Sequence, residues 1–122
     1  AQKLIGWVTD LSQPNGRARL YLDIGPQHTN RHGVLHGGII AMLLDSCCGY
    51  TGASHLDRKA MPEMLSVSFT TNFVAPASEG RVTATGHVTG GRRTLFISAE
   101  LRDSADRLIA TSTGVYKPVR KD

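Results

Sequence analysis

The chain has 122 residues and a mass of 13.1 kDa, which predicts a single domain over residues 1–122. Hydrophobic residues make up 40% and charged residues 20% of the chain, which argues against disorder, and the longest apolar run, 39–44, is too short to span a bilayer. The formal net charge is only +4 and no run of Lys or Arg exceeds two residues, so we expect no nucleic-acid partner and favour a small anionic ligand.

Alternating apolar residues predict a β-hairpin near the start of the chain. From Arg17 to Ile24 every second residue is apolar, which is typical of a half-buried strand. A Pro-Asn-Gly turn at 14–16 precedes this strand, so residues 5–11 are its expected partner. A loop rich in His, Gly and Asn then extends from Gly25 to Leu35.

One long helix is predicted from Gly37 to His55. The helix is apolar on nearly all sides, which is typical of a buried helix. Along one stripe, small residues recur at helical spacing with one carboxylate among them: Gly38, Ala41, Asp45, Gly49 and Gly52. The adjacent Cys47 and Cys48 point about 100° apart and cannot pair with each other. We therefore expect free thiols that fill the core, as is usual in the reducing cytoplasm.

The rest of the chain alternates in the manner of four antiparallel strands separated by turns. They are expected at residues 65–73, 82–88, 95–101 and 108–116. The element order is then β-β-α-β-β-β-β, an α+β arrangement in which one antiparallel sheet wraps around the helix. Because one helix cannot cover both faces and the edges of such a sheet, we expect an oligomer.

Two features of the helix could carry chemistry. Asp45 is costly inside an apolar helix unless it pairs with a residue such as Arg, caps a loop, or acts as nucleophile or general base. At the helix start, His36, Gly37 and Gly38 leave unpaired N–H groups that would stabilise a carbonyl oxygen as it becomes negative. Gly37 and Asp45 are eight residues apart, about 12 Å along a helix, too far to act on one carbonyl group. If both act, they come from different subunits.

Two other patterns suggest different chemistry. His28, His32 and His36 have a spacing that hints at metal binding, but the loop composition disfavours a helix there. Because no Cys or carboxylate joins them at ligand spacing, we expect no metal. A Ser-His-Asp triad could be assembled from Ser66, a histidine and Asp45, but no G-x-S-x-G sequence supports it.

Two adjacent cations, Arg92 and Arg93, follow Gly90 and Gly91 in the turn between two predicted strands. The pair is compatible with an ordinary solvated hairpin tip. It is equally compatible with a clamp at the mouth of a site, because guanidinium groups bind phosphate through paired hydrogen bonds.

The segment from His36 to Asp45 resembles the hotdog-fold thioesterases, and more closely the PaaI-like and thioesterase superfamily member 2-like acyl-CoA thioesterases. The shared pattern is an Asn, a His-Gly-Gly and an Asp, here Asn30, His36, Gly37, Gly38 and Asp45. Further resemblance lies at residues 66–77, 91–94 and 108–114, so that it extends over about residues 17–118.

The resemblance implies a curved sheet around a central helix, a dimer with one continuous sheet, and usually a homotetramer made of two dimers. It implies hydrolysis of an acyl-CoA with no metal and no cofactor besides the CoA of the substrate. Residue by residue, Asp45 matches the catalytic carboxylate and Gly37 the backbone donor to the thioester carbonyl. Asn30 and His36 match polar residues that line the site from the opposite subunit. Ser66 matches a hydroxyl that assists the water or the Asp.

Three functions therefore follow from the sequence. The leading one is a cytoplasmic thioesterase for an aryl- or medium-chain acyl-CoA, with Arg92 and Arg93 on the CoA phosphates and no membrane partner. A hotdog hydratase or dehydratase would need a His for proton transfer, and none is recognisable on the helix. A non-catalytic acyl-CoA binding module would gain nothing obvious from a carboxylate in an apolar helix.

Overall fold

The computed structural model describes residues 2–13 and 17–119. Its elements are α1 (Gln2–Ile5), β1 (Val8–Asp10), β2 (Arg19–Asp23), a 3-10 turn (Pro26–His28), α2 (Gly37–Leu56), β3 (Met64–Phe73), β4 (Arg81–Gly91), β5 (Leu95–Asp103) and β6 (Leu108–Pro118). These bounds confirm the predicted order of two strands, one long helix and four further strands.

The strands of the described residues form one antiparallel sheet in the order β1-β2-β4-β5-β6-β3. Alternate side chains of each strand point toward the helix and are buried, as are Leu20 and Leu22 of β2. The same core contains Leu43, Leu44 and Cys47 of α2, none of which is accessible to solvent. The sheet therefore wraps around the helix, because only this arrangement buries both apolar surfaces.

The N-terminal hairpin differs from the prediction at its outer end. β1 and β2 pair as expected, with Thr9 opposite Leu20, but Ile5 ends α1 and does not belong to the strand. Gly6 separates the two elements with a φ of 91°, a left-handed conformation that glycine adopts without strain. The predicted turn at 14–16 lies outside the described residues.

The two edges of the sheet differ in length and character. β1 forms one edge with three residues, whereas β3 forms the other with ten. On β3 the side chains of Leu65, Val67 and Phe73 are 51%, 56% and 60% exposed. A long apolar edge strand with unpaired backbone groups readily pairs with another chain. The β3 edge is therefore the place where a second chain could extend the sheet.

Helix α2 begins at the predicted residue and ends one residue later than predicted. His36 caps its N-terminus, because the imidazole Nδ1 accepts a 2.9 Å hydrogen bond from the Gly38 N–H. At the other end the Asp57 N–H donates to the Ala53 carbonyl over 3.0 Å. Within residues 2–13 and 17–119, α2 included, no helix has the length and apolarity needed to cross a membrane.

Cys47 and Cys48 are free and fully buried, as predicted. Burial is the main cause that raises the pKa of Cys47 to about 12 and that of Cys48 to about 11. The Cys47 thiol donates to the Ala18 carbonyl over 3.3 Å. Because a thiol that keeps its proton at neutral pH is a poor nucleophile, the two residues serve as core side chains.

Candidate functional site

Asp45 lies in the middle of α2 and is half-buried. Its Oδ1 accepts a 2.8 Å hydrogen bond from the hydroxyl of Tyr116 in β6. Among the described residues no Lys, Arg or His forms an ion pair with this carboxylate. Within residues 2–13 and 17–119, the Oδ2 atom of Asp45 has no hydrogen-bond partner. The carboxylate is therefore anchored at one oxygen and open at the other.

Two hollows meet at Asp45. The first, the C-terminal hollow, measures about 340 Å³ and is lined by Asp45, Ser46, Gly49, Tyr50, Ala53, Met61, Pro62, Glu63, Met64, Ser66 and Tyr116. The second, the N-terminal hollow, measures about 320 Å³ and is lined by Gly38, Ala41, Met42, Asp45, Ser66 and Phe69. Asp45 and Ser66 line both, so a bound molecule that passes from one hollow to the other would contact both side chains.

The predicted stripe of small residues makes this space. Gly38 and Ala41 line the N-terminal hollow and Gly49 lines the C-terminal one. A Cβ added at Gly49 would meet no atom within 4 Å. Gly52 is different, because a Cβ there would lie 2.9 Å from Cδ1 of Ile97. Gly52 therefore allows close packing of the helix on the sheet, whereas the rest of the stripe leaves room beside the carboxylate.

The pairing of β3 with β6 brings Ser66 and Tyr116 to Asp45, since the two residues lie directly opposite each other. The register shifts immediately afterwards, between Ser66 and Ser68, and such an irregularity changes the direction of nearby side chains. Tyr116 is only 2% exposed, and burial is the main cause that raises its pKa above the usual range. The hydroxyl therefore stays protonated and donates a hydrogen bond to the carboxylate.

Tyr116 is the functional candidate that sequence reasoning missed. Its ring lies close to Gly114, where an added Cβ would be 2.7 Å from Tyr116 Cε1. Gly114 and Tyr116 are two residues apart and point to the same face of β6. A glycine at this spacing from an aromatic residue makes room for a ring to lie against its own strand. The Gly-x-Tyr spacing was thus the signal available in the sequence.

At the start of α2, Gly37 presents an open backbone donor. The Gly38 N–H is taken by His36 Nδ1, and the next two N–H groups donate to the His36 carbonyl. The Gly37 N–H has no acceptor among the described residues. A Cβ at Gly37 would touch only the Phe73 ring, at 3.5 Å. The sequence predicted unpaired N–H groups at the His-Gly-Gly segment, and in the described residues the Gly37 N–H is the one that lacks an acceptor.

Asn30 and His36 take structural roles within their own chain. The Asn30 Oδ1 accepts N–H groups of His32 and Val34 over 2.9 and 3.4 Å and so fixes the loop before α2. His36 is exposed and caps the helix. Neither residue lines the two hollows beside Asp45 of the same chain. Their place in the site of the opposite subunit stays a prediction.

The histidines that suggested a metal site or a triad take other places in the described residues. The Nδ1 of His28 accepts a 2.9 Å bond from the Gly25 N–H, so its Nε2 donates to the Ile5 carbonyl over 2.6 Å. Over residues 2–13 and 17–119, no three His, Cys, Asp or Glu side chains form a group that could hold a metal ion. Among the same residues no histidine lines the hollows at Asp45, so a triad with Ser66 is not formed.

Arg92 and Arg93 are exposed in the turn between β4 and β5. Arg93 and Lys117 line a further hollow of about 520 Å³, which Arg92 does not line. Leu95 follows the turn and pairs with Tyr116, so the turn lies at the same end of the sheet as the Asp45 cluster. Arg93 and Lys117 therefore share one hollow at this end of the sheet, and Lys117 points to the face opposite that of its neighbour Tyr116.

Comparisons with known proteins agree with this fold. A sequence profile of the thioesterase superfamily matches residues 32–110. Acyl-coenzyme A thioesterase 13 from Homo sapiens is 31% identical over 112 residues, which cover 89% of this chain and 78% of the human protein. A thioesterase family protein from Silicibacter pomeroyi has 30% identity and a TM-score of 0.84 over 98% of this chain and 89% of its own. The E. coli PaaI protein of the phenylacetic acid degradation operon has a TM-score of 0.84 at 22% identity, with coverages of 98% and 83%.

Proposed function

Because this chain belongs to the thioesterase superfamily, with the PaaI-like hotdog fold and thioester hydrolysis as its reaction, we propose that it hydrolyses acyl-CoA with Asp45 as the catalytic carboxylate. One observation carries the proposal: the Asp45 carboxylate is held at Oδ1 by Tyr116, while Oδ2 is open beside a hollow of about 340 Å³. A thioester carbonyl is reactive and a thiolate leaves readily, so a single carboxylate suffices as nucleophile or as general base.

The proposed reaction adds water across the C–S bond of the thioester. Either Oδ2 of Asp45 removes a proton from a water that attacks the carbonyl carbon, or Oδ2 attacks and water then hydrolyses the resulting anhydride. In both routes the carbonyl oxygen becomes negative and the C–S bond breaks as CoA leaves as a thiolate. The thiolate then takes up one proton of the water, whose oxygen ends in the acid. The Gly37 N–H would stabilise that oxygen, and Ser66 would orient the water or the carboxylate.

The site is proposed to be shared between two subunits. Gly37 begins α2 and Asp45 lies eight residues further on, about 12 Å along the helix axis. A carbonyl group spans only a small part of this distance, so Gly37 of one subunit would face Asp45 of the other. The exposed β3 edge would join the two sheets into a homodimer, with a tetramer of two such dimers as the expected assembly.

The acyl group and the CoA phosphates are proposed to bind to different surfaces of the chain. The C-terminal hollow, with Tyr50, Met61 and Met64 in its lining, would hold the acyl group, because its walls are largely apolar. Arg93, Lys117 and the neighbouring Arg92 would attract the CoA phosphates. The two free thiols agree with a reducing compartment, which we take to be the cytoplasm.

The proposal is tested by measuring CoA release from a panel of aryl- and medium-chain acyl-CoAs. Asp45→Asn should reduce turnover of every accepted substrate to a small residual level and leave the fold intact. Asp57→Asn is the matched control, because Asp57 caps the C-terminal end of the same helix and is exposed. Turnover by Asp45→Asn at the rate of the control variant would refute the assignment.

The same panel separates the two other functions. A hydratase would add water to crotonyl-CoA without releasing CoA, which the loss of enoyl absorbance detects. A binding module would bind acyl-CoA tightly and release no CoA. The crotonyl-CoA measurement decides between thioesterase and hydratase, because hydration requires proton transfer at two carbons and releases no CoA.

A further inference from the structure

We infer that Tyr116 is a positioning residue for this reaction: its hydroxyl holds one oxygen of the Asp45 carboxylate so that the other faces the thioester carbonyl. The inference rests on the proposed catalytic role of Asp45. It starts from the 2.8 Å hydrogen bond between the Tyr116 hydroxyl and Asp45 Oδ1, which joins β6 to the middle of α2. A carboxylate bonded at one oxygen has two inequivalent oxygens, and only the second is free to react.

The ring of Tyr116 is fixed by the strands around it. Tyr116 pairs with Ser66 on one side and with Leu95 on the other, so its backbone lies between two neighbouring strands. Gly114 leaves the space that the ring occupies, since a Cβ there would lie 2.7 Å from Cε1 and 2.9 Å from the Ser68 carbonyl. The hydroxyl is therefore delivered to Asp45 from the sheet, whose geometry is more rigid than that of a loop.

The hydroxyl can act only as a donor toward the carboxylate. Burial, together with the nearby Cys48 thiol and Asp45, keeps the pKa of Tyr116 above its usual range. The other titratable groups that face Asp45 are Cys48 on the same helix, and Tyr50 and Glu63 in the lining of the C-terminal hollow. None of these has a hydrogen bond to Asp45 among the described residues, so Tyr116 alone orients the carboxylate in this part of the chain.

Orientation matters because the rate of an attack on a carbonyl falls steeply when the attacking oxygen is misplaced. A displacement of about 1 Å can cost about 10²-fold in rate. Without the Tyr116 hydroxyl the carboxyl group could rotate about its χ2 angle, and Oδ2 would spend less time in the attacking position. Substrate binding does not use this hydrogen bond, so we expect the effect in kcat and not in KM.

Tyr116→Phe tests the inference, because it removes the hydroxyl and keeps the ring. We expect kcat for the best acyl-CoA to fall about 10- to 100-fold with KM nearly unchanged. Tyr21→Phe is the matched control, since Tyr21 lies on β2, where its ring stacks on the exposed Arg81, and lines neither hollow. That control should keep the wild-type kcat.

Two readouts separate positioning from a merely structural role. A positioning residue lowers kcat and leaves KM nearly unchanged, because the substrate binds without the Tyr116–Asp45 hydrogen bond. In an Asp45→Asn background, Tyr116→Phe should cause no further loss of the residual activity, because the hydroxyl acts through Asp45. This comparison remains valid if Tyr116→Phe also lowers the stability of the fold.

The outcomes distinguish this inference from the proposed function. If Tyr116→Phe keeps the wild-type kcat while Asp45→Asn loses nearly all activity, the role of Tyr116 is overturned and that of Asp45 stands. If the two substitutions reduce activity independently, the inference is likewise overturned. Full activity of Asp45→Asn would overturn the proposed function itself.

Discussion

The N–H of Gly37 can be removed without removing the helix that carries it. Gly37 is the first residue of α2, where the fixed φ of proline suits the helix and no helical hydrogen bond uses the N–H. The preceding His36 has φ −63° and ψ 133°, within the extended region that residues before proline favour. We therefore expect Gly37→Pro to fold with an intact helix and to lack only the proposed oxyanion donor.

The size of the effect follows from the single donor that is lost. Removal of one oxyanion-hole N–H costs about 10²–10³ in kcat, or about 2.7–4 kcal/mol of transition-state stabilisation. Gly37→Ala is the control, because it keeps the N–H and its Cβ would meet the Phe73 ring at 3.5 Å, an ordinary contact. The alanine variant should therefore turn over acyl-CoA at close to the wild-type rate.

The assay is CoA release at saturating acyl-CoA, followed with a thiol-reactive dye, with circular dichroism as the check on the helix. If the Gly37 N–H stabilises the reacting carbonyl oxygen, kcat should fall strongly in Gly37→Pro and hardly at all in Gly37→Ala. Equal kcat values for two folded variants would show that the Gly37 N–H does not stabilise the reacting carbonyl oxygen.

Other predictions concern the core. Cys47 and Cys48, with pKa values of about 12 and about 11, should not react with the dye at pH 8 in the folded protein, because only about 10⁻⁴ and 10⁻³ of each is thiolate. Both should react in guanidinium, and rapid labelling of the native protein would contradict their burial. Gly86→Ala should lower the free energy of unfolding by about 1–3 kcal/mol in a urea titration, since its Cβ would overlap the Thr51 hydroxyl. At Gly90 an added Cβ would meet no atom within 4 Å, so Gly90→Ala should change the free energy of unfolding little. If both variants lost the same free energy of unfolding, crowding at Thr51 would not be the cause.

Much of the fold could be predicted because side-chain periodicity survives in the sequence. The alternation around Leu20 and Leu22 and the long apolar segment of α2 predicted these elements to within a few residues. The start of the chain was less predictable, since the apolar Ile5 is as compatible with a strand as with the short α1. Only the left-handed backbone of Gly6 divides the two elements. The order of the strands depends on long-range pairing, which no local pattern encodes.

The residues of the candidate site likewise differ in how far the sequence predicts them. Asp45 could be predicted because a carboxylate is anomalous in an apolar helix, and Gly37 because glycines at a helix start leave donors open. Tyr116 could be placed beside its strand from its spacing to Gly114 but could not be given a role in the site, since an aromatic residue at an inward position of a strand is typical of a core. Its role emerges only from the register that sets it opposite Ser66 and from the hydrogen bond to α2.

We propose that each active site takes Gly37 from one subunit and Asp45 from the other. The most direct test of this proposal refolds Asp45→Asn together with Gly37→Pro in equal amounts and measures CoA release. Random pairing makes about half of the dimers mixed, and each mixed dimer contains one intact site of its two. We therefore expect about a quarter of the wild-type activity. If the mixture has no more activity than the two variants measured separately, the site does not lie between subunits.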